Sequence, residues 1–224
     1  MIHPEYQRRA YLQAMGIDVW LPRDADEPEG SAADTVLADN LDWDELKLCV
    51  SECTRCELST SRTQTVFGVG NKNATWMIIG EAPGAEEDRC GEPFIGRAGH
   101  MLDEMLRAVG QDRRSVFIAN ILKCRPPNNR DPKSNEALKC RDYLDRQITL
   151  VQPSIILAVG EFAAQKLLGS DDTFEQMRGQ VRDIKGIPLV VTYHPANLLR
   201  SPSQKRKSWS DLCLAQDLVA AAVE

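Results

Sequence analysis

Residues 75–99 read TWMIIGEAPGAEEDRCGEPFIGRAG. Thr75–Ile79 is a short apolar run that suits a buried strand, and Gly80 ends it. Pro83 and Gly84 turn the chain straight after the strand, and Gly91, Gly96 and Gly99 permit close backbone approach. From Ala98 to Val109 the apolar residues Met101, Leu102, Met105, Leu106 and Val109 fall on one helical face. A glycine-rich loop between strand and helix can present backbone N–H groups to an anion or a carbonyl oxygen. It lacks the lysine of a P-loop and is not GxGxxG, so binding of a nucleoside triphosphate or dinucleotide has little support.

The same alternation continues downstream. Val116–Ala119 reads as a strand ending at Asn120, Asn135–Ile148 as a helix, Ser154–Val159 as a strand ending at Gly160, and Glu161–Leu168 as a helix. Ile187–Thr192, interrupted at Pro188, reads as a fourth strand running into Tyr193–His194–Pro195, and a last helix runs from about Lys205 to Val223. Alternating strands and helices predict an α/β fold with a mainly parallel four-stranded sheet covered on both faces. Ligands of such sheets sit beyond the carboxyl ends of the strands, which places Glu81, Asn120 and His194 near one cleft.

Upstream, Glu5–Met15 reads as a short helix, and the acidic, proline-containing stretch from Pro22 to Asn40 as a linker. Asp42 is placed to cap a helix through Leu46 and Leu48 toward Cys53. This divides the chain into an acidic extension, 1–46, and a body, 47–224. The full chain of 224 residues is 42% hydrophobic, with a net charge of −6. The charge is uneven: residues 1–48 carry 4 Lys/Arg against 11 Asp/Glu, leaving the rest near neutral. Within that remainder, 121–130 holds Lys123, Arg125 and Arg130 with no acid, and 195–210 holds Arg200, Lys205, Arg206 and Lys207 with no acid. Two local basic stretches on a neutral body are compatible with a polyanion, although such runs also occur on ordinary solvated faces. No run of 18 apolar residues suggests a membrane span. The start has no apolar secretory segment, so a cytoplasmic protein is expected.

Seven cysteines without an export signal point to metal ligands and buried thiols rather than disulfides. Cys53 and Cys56 form C-x2-C, and Cys124 and Cys140 can join them from further along the chain. Four thiolates suit Zn²⁺ or an iron–sulfur cluster, and spacing alone does not choose. Cys49 is near enough to substitute for a ligand, and Cys213 suits the core. Phe94 can stack on a planar base or plug its loop to the core. The Asn120 amide matches the N3–H and O4 edge of uracil, or it can cap the following loop. His194 can donate to a developing oxyanion or be held for structural reasons, and Pro195 favours an extended backbone there. His100, at a helix start, suits the surface.

In combination, several segments resemble the iron–sulfur uracil-DNA glycosylases, the type-4 group of the uracil-DNA glycosylase superfamily. They are CTRC at 53–56, RTQTVFGVGN at 62–71, GEAPGAEEDRCGEPFIGRAG at 80–99, NILKCRPPNNRDP at 120–132, Cys140 and TYHPANLLRSP at 192–202. The resemblance covers roughly residues 48–218.

The resemblance implies a three-layer αβα fold and a [4Fe–4S] cluster held by Cys53, Cys56, Cys124 and Cys140, ordering loops that approach DNA. It implies a hydrolase that removes uracil from DNA in base excision repair. No lysine in the pocket motifs is placed for a Schiff base, so a monofunctional enzyme without strand cleavage is expected, acting on single- or double-stranded DNA as a monomer. Phe94 would stack on the flipped uracil, Asn120 would read its polar edge, and His194 would stabilise charge on O2. Glu81 stands where relatives outside the group use an aspartate to position water. Gly80, Ala82 and Glu87 are expected in the substrate pocket, and Glu87 and Asp88, in the same loop, would shape the pocket or hold its turn. Lys123, Arg125, Arg130 and Arg200 would contact DNA. Asn197 departs from the HPAYLLR form by replacing an aromatic. No insertion carries a nucleophilic histidine, so no covalent crosslink to DNA is expected. Broader excision of deaminated bases, a non-catalytic cluster-bearing DNA-binding module and a zinc-stabilised domain are the alternatives.

Overall fold

In the computed structural model, the described residues are Ala38 and 40–221. The helix expected at Glu5–Met15 and nearly all of the linker expected at 22–40 lie outside them. The helices are α1 Trp43–Ser51, α2 Leu58–Ser61, α3 Ala85–Cys90, α4 Arg97–Ala108, α5 Ser134–Val151, α6 Glu161–Leu168, α7 Phe174–Met177, α8 Pro195–Arg200 and α9 Lys205–Ala221. The strands are β1 Val69–Gly70, β2 Trp76–Gly80, β3 Phe117–Asn120, β4 Ile155–Val159, β5 Val181–Ile184 and β6 Ile187–Thr192.

The sheet order is β1-β3-β2-β4-β6-β5. Its centre, β3-β2-β4-β6, is the parallel set expected from sequence. The sheet has six strands rather than four, because two antiparallel edges are added. Two-residue β1 pairs with β3, and β5 forms a hairpin with β6. Pro188 does not break β6. It sits opposite Asp183 on the hairpin side, and parallel pairing with β4 begins at Leu189.

Alternation along each central strand divides the core into two layers. Met77, Ile79, Phe117, Ala119, Ile156 and Ala158 face one side, where Leu46 and Val50 of α1, Leu144 and Ile148 of α5 and Ala163 and Leu167 of α6 cover them. Trp76, Ile78, Ile118, Leu157 and Val190 face the other, under Leu102, Met105 and Leu106 of α4, Leu198 of α8 and Leu212 of α9. This is a three-layer αβα sandwich.

Asp42 caps α1 as its residue type suggests. Its carboxylate accepts from the Asp44 and Glu45 amides, while Glu45 accepts from the Asp42 amide. Trp43 packs edge-on against Phe67 and Phe117. Leu46 is fully buried, so the compact body begins upstream of residue 47. Among the described residues, no helix is long and apolar enough to cross a membrane.

Candidate active site

Glu81, Asn120, Gly160 and His194 come to one edge because β2, β3, β4 and β6 run parallel and end together. Gly80 and Asn120 are register partners on neighbouring strands. A Cβ on Gly80 would lie 2.6 Å from Asn120 Oδ1 and 2.7 Å from Phe94 Cε2, so only glycine lets the amide and the ring meet over the strand. Asn120 is 2% exposed, and its Oδ1 has no hydrogen-bond partner among the described residues. A buried acceptor left unpaired carries a desolvation cost of roughly 1–3 kcal/mol, which a ligand N–H would relieve.

Phe94 is held above this point with φ of 54°, an uncommon conformation for an aromatic residue. Its loop is clamped from two sides. Glu87 Oε1 accepts the Ile95 and Gly96 amides at 3.0 and 3.1 Å. The Arg113 guanidinium, paired with Asp103 at 2.6 Å, donates to the carbonyls of Pro93 and Phe94. Buried Asp88 accepts the Thr63 amide, tying α3 to the segment before β1. The Phe94 ring lies 5.6 Å from the His194 ring, tilted by 33°. Phe94 therefore both anchors its loop to the core and walls the cleft.

His194 is the N-cap of α8, with extended backbone ahead of Pro195. Its Nδ1 accepts the Ala196 amide N–H at 3.2 Å, so the neutral ring carries its proton on Nε2. Burial, reinforced by Arg200 and opposed by Glu87, pulls the imidazole down to about 4. The ring is neutral at physiological pH. Gly160, at φ of +102°, leaves room for it: a Cβ there would lie 3.2 Å from His194 Cβ.

A cavity of about 470 Å³ gathers Glu81, Ala82, Glu87, Phe94, Asn120, His194 and Arg200. All the residues expected to recognise or process the base thus meet, with Gly80 beneath them. Burial, then the nearby Asp131 charge, pushes the Glu81 carboxyl above its ordinary value. Asp131 also lines the cavity. The sequence reading missed it, although it lies inside the quoted 120–132 block next to Arg130, where the basic residues drew attention.

The expected DNA contacts fare unevenly. Lys123 is a correction. It is 1% exposed, and its ammonium donates inward to the Asn120 carbonyl at 2.9 Å and to Gln147 Oε1 at 2.6 Å. It cannot reach a phosphate; it braces the end of β3, and burial lowers its ammonium to about 8. Arg130 is committed to Glu136 by two bonds, at 2.5 and 3.0 Å. Arg125 bonds Asn129 Oδ1 at 2.7 Å. Arg200 is exposed at the cavity mouth, and Lys205, Arg206 and Lys207 are exposed beyond it.

Cys124 and Cys140 are buried, while Cys53 and Cys56 pack against the same core layer. Among the described residues, no three Cys, His, Asp or Glu side chains are grouped to hold a metal ion. The thiols nevertheless share one electrostatic neighbourhood: Cys53 and Cys56 act on Cys124, and Cys53 and Cys124 on Cys140. Arg62 donates to Cys124 Sγ at 3.1 Å and the Lys123 amide to Cys140 Sγ at 3.3 Å, bonds that favour thiolates. Burial, joined by the Cys124 and Cys53 charges and opposed by the Lys123 amide and ammonium, pushes the Cys140 thiol up to about 12. Soft sulfur donors provided with N–H partners suit an iron–sulfur cluster or zinc.

The family model described as the Uracil DNA glycosylase superfamily matches residues 67–215. A type-4 uracil-DNA glycosylase of Archaeoglobus fulgidus is 42% identical over 170 residues, 72% of this chain and 85% of that protein. One from Saccharolobus solfataricus is 42% identical over 73% of this chain and 79% of its own length. One from Thermotoga maritima is 41% identical over 70% and 82%. With its fold, its strand-end cleft and these relatives in agreement, the chain belongs to the uracil DNA glycosylase superfamily, alongside the type-4 enzymes.

Proposed function

We propose that the protein is a monofunctional glycosylase that hydrolyses the N-glycosidic bond of deoxyuridine in DNA, releasing uracil and leaving an abasic site for base excision repair. The observation that carries this reading is the convergence of the unpaired Asn120 Oδ1, the Phe94 ring and the neutral His194 ring on one cavity.

An extruded uracil stacks on Phe94, its N3–H meets Asn120 Oδ1, and its O4 meets the Asn120 NH₂. Cytosine has no N3–H, so it would leave the buried acceptor unsatisfied. Cleavage of C1′–N1 sends the bonding pair to the base, and negative charge spreads onto O2. His194 Nε2–H donates there, a preorganised contribution of roughly 3–4 kcal/mol. Water supplies oxygen to the cationic C1′, and the basic carboxylate of Glu81 takes its proton. Among the described residues no lysine lines the cavity, so no Schiff base is expected and the strand would not be cut.

Cys53, Cys56, Cys124 and Cys140 are the residues that would hold a [4Fe–4S] cluster. When bound, it supplies a structural crosslink between the 53–56 turn, the loop after β3 and α5. Arg200, with the exposed Lys205 and Arg206, would meet phosphates of single- or double-stranded DNA. The protein would act as a cytoplasmic monomer.

Anaerobically purified protein should be brown, with about four irons per chain; a colourless zinc protein would remove the cluster. Incubation with matched oligonucleotides bearing U, T, C or hypoxanthine tests the activity. Free uracil and alkali-labile sites from the U substrate alone are expected. Release of hypoxanthine would favour the broader deaminated-base reading, and binding without release the non-catalytic one.

A further inference from the structure

A second cavity, of about 610 Å³, adjoins the one described. It opens at the carboxyl ends of β4 and β6, whereas Asn120 and Phe94 lie toward β2 and β3. The two share His194, Arg200, Glu81 and Asp131 as a common wall. The second cavity has none of the Gly80–Phe94–Asn120 surface, so it does not duplicate the pyrimidine site.

Its own walls have a definite chemistry. Phe162, Phe174 and Tyr193 supply aromatic surface, with Phe174 and Tyr193 set edge to face at 4.7 Å. Gln165 spends its NH₂ on the Asp172 carbonyl at 3.1 Å, which leaves its Oε1 as an acceptor. The Asn197 side chain, where HPAYLLR would carry an aromatic, has no hydrogen-bond partner among the described residues. The charges lining the cavity are Glu81, Asp131 and Glu161 against Arg200, with His194 neutral. An excess of carboxylates repels phosphate. A neutral planar ring with hydrogen-bonding edges suits aromatic walls and carboxamides.

We propose that this second cavity holds the base of a nucleotide adjacent to the deoxyuridine, unstacked from its neighbours and seated against Phe162 and Asn197. The inference rests on the function proposed above. Because His194 forms the partition, the occupant stands one position along the strand from the reacting nucleotide. Stacking on aromatic walls accepts any base, and the two amides add only a modest preference.

The test uses cluster-loaded protein and single-stranded oligonucleotides with one deoxyuridine. The 5′ or the 3′ neighbour is either an adenine nucleotide or a tetrahydrofuran spacer lacking a base. On one of the two sides, replacing base by spacer should lower kcat/KM for uracil release about tenfold. In Phe162→Ala and Asn197→Ala that base-to-spacer ratio should fall toward one. Comparing two substrates on the same variant cancels any loss of folded protein. Equal rates with base and spacer on both sides in the wild type, or an unchanged ratio in both variants, would overturn the inference while leaving uracil excision standing. No uracil release from any substrate would overturn the proposed activity, and this inference with it.

Discussion

The Nδ1 of His194 accepts the backbone N–H of Ala196 at 3.2 Å. One bond therefore caps α8 and fixes which ring nitrogen carries the proton. Protonating Nδ1 would set two N–H groups against each other and leave the first turn of α8 without its cap. The geometry agrees in sign with the downward shift of the imidazole to about 4. In the proposed reaction His194 would act as a neutral donor whose availability does not change where an ordinary histidine titrates.

Nitrogen NMR of His194 should therefore show the neutral Nε2–H tautomer from about pH 8 down to about pH 5. Protonation with a midpoint near the ordinary value of 6.5 would contradict this. His194→Ala should lower kcat by roughly 10²–10³-fold, the usual loss for one preorganised oxyanion donor, while DNA affinity stays close to wild type.

Glu81 titrates the other way. Burial and the Asp131 charge both raise its carboxyl above 4.5, so it loses the basic form as pH falls at a higher pH than an ordinary glutamate. The acid limb of kcat/KM should reflect this loss of the Glu81 carboxylate. Asp131→Asn removes the second cause and leaves burial, so the limb should move to lower pH without disappearing. A limb that stays in place in the rate–pH profile would detach Asp131 from Glu81.

Gly80→Ala tests the close approach at the strand end. The added methyl must enter the space held by Phe94 and Asn120 Oδ1. Gly80 has no left-handed backbone conformation, so the obstruction is steric and local to the cleft. The variant should fold, lose on the order of 1–3 kcal/mol of stability as for overpacking, and lose most of its uracil release. Near-normal turnover would mean that Phe94 and Asn120 need not be held together.

Lys123 and Arg200 should separate in salt titrations. Arg200→Ala should reduce the slope of log Kd against log salt by about 1, as loss of a phosphate contact does. Lys123→Ala should leave the slope unchanged and lower stability, because it strips the Asn120 carbonyl and Gln147 of a buried partner. A reduced slope for Lys123→Ala would restore it as a DNA contact.

The four central strands were legible because each is an apolar run closed by Gly80, Asn120, Gly160 or His194. The convergence of those ends followed from parallel pairing. The edge strands were not legible: Val69–Gly70 has two residues, and Val181–Ile184 reads VRDI, a pattern whose pairing depends on the hairpin with β6. Lys123 was misread because local sequence shows charge but not direction. Cys124 and Cys140 lie on the interior side of their segments, and Lys123 turns inward with them to meet Gln147, 24 residues away. The Phe162–Phe174–Tyr193 chamber depends on long-range packing of α6, α7 and the segment after β6, which no local pattern reports.

Everything proposed for the chemistry requires one pyrimidine to touch Asn120 and His194 at once. A crystal structure of the protein with free uracil measures this directly. The ring should stack on Phe94, with Asn120 Oδ1 at hydrogen-bond distance from N3 and His194 Nε2 at hydrogen-bond distance from O2. Uracil bound elsewhere, or bound in this cavity with Asn120 Oδ1 still unpaired, would contradict the account.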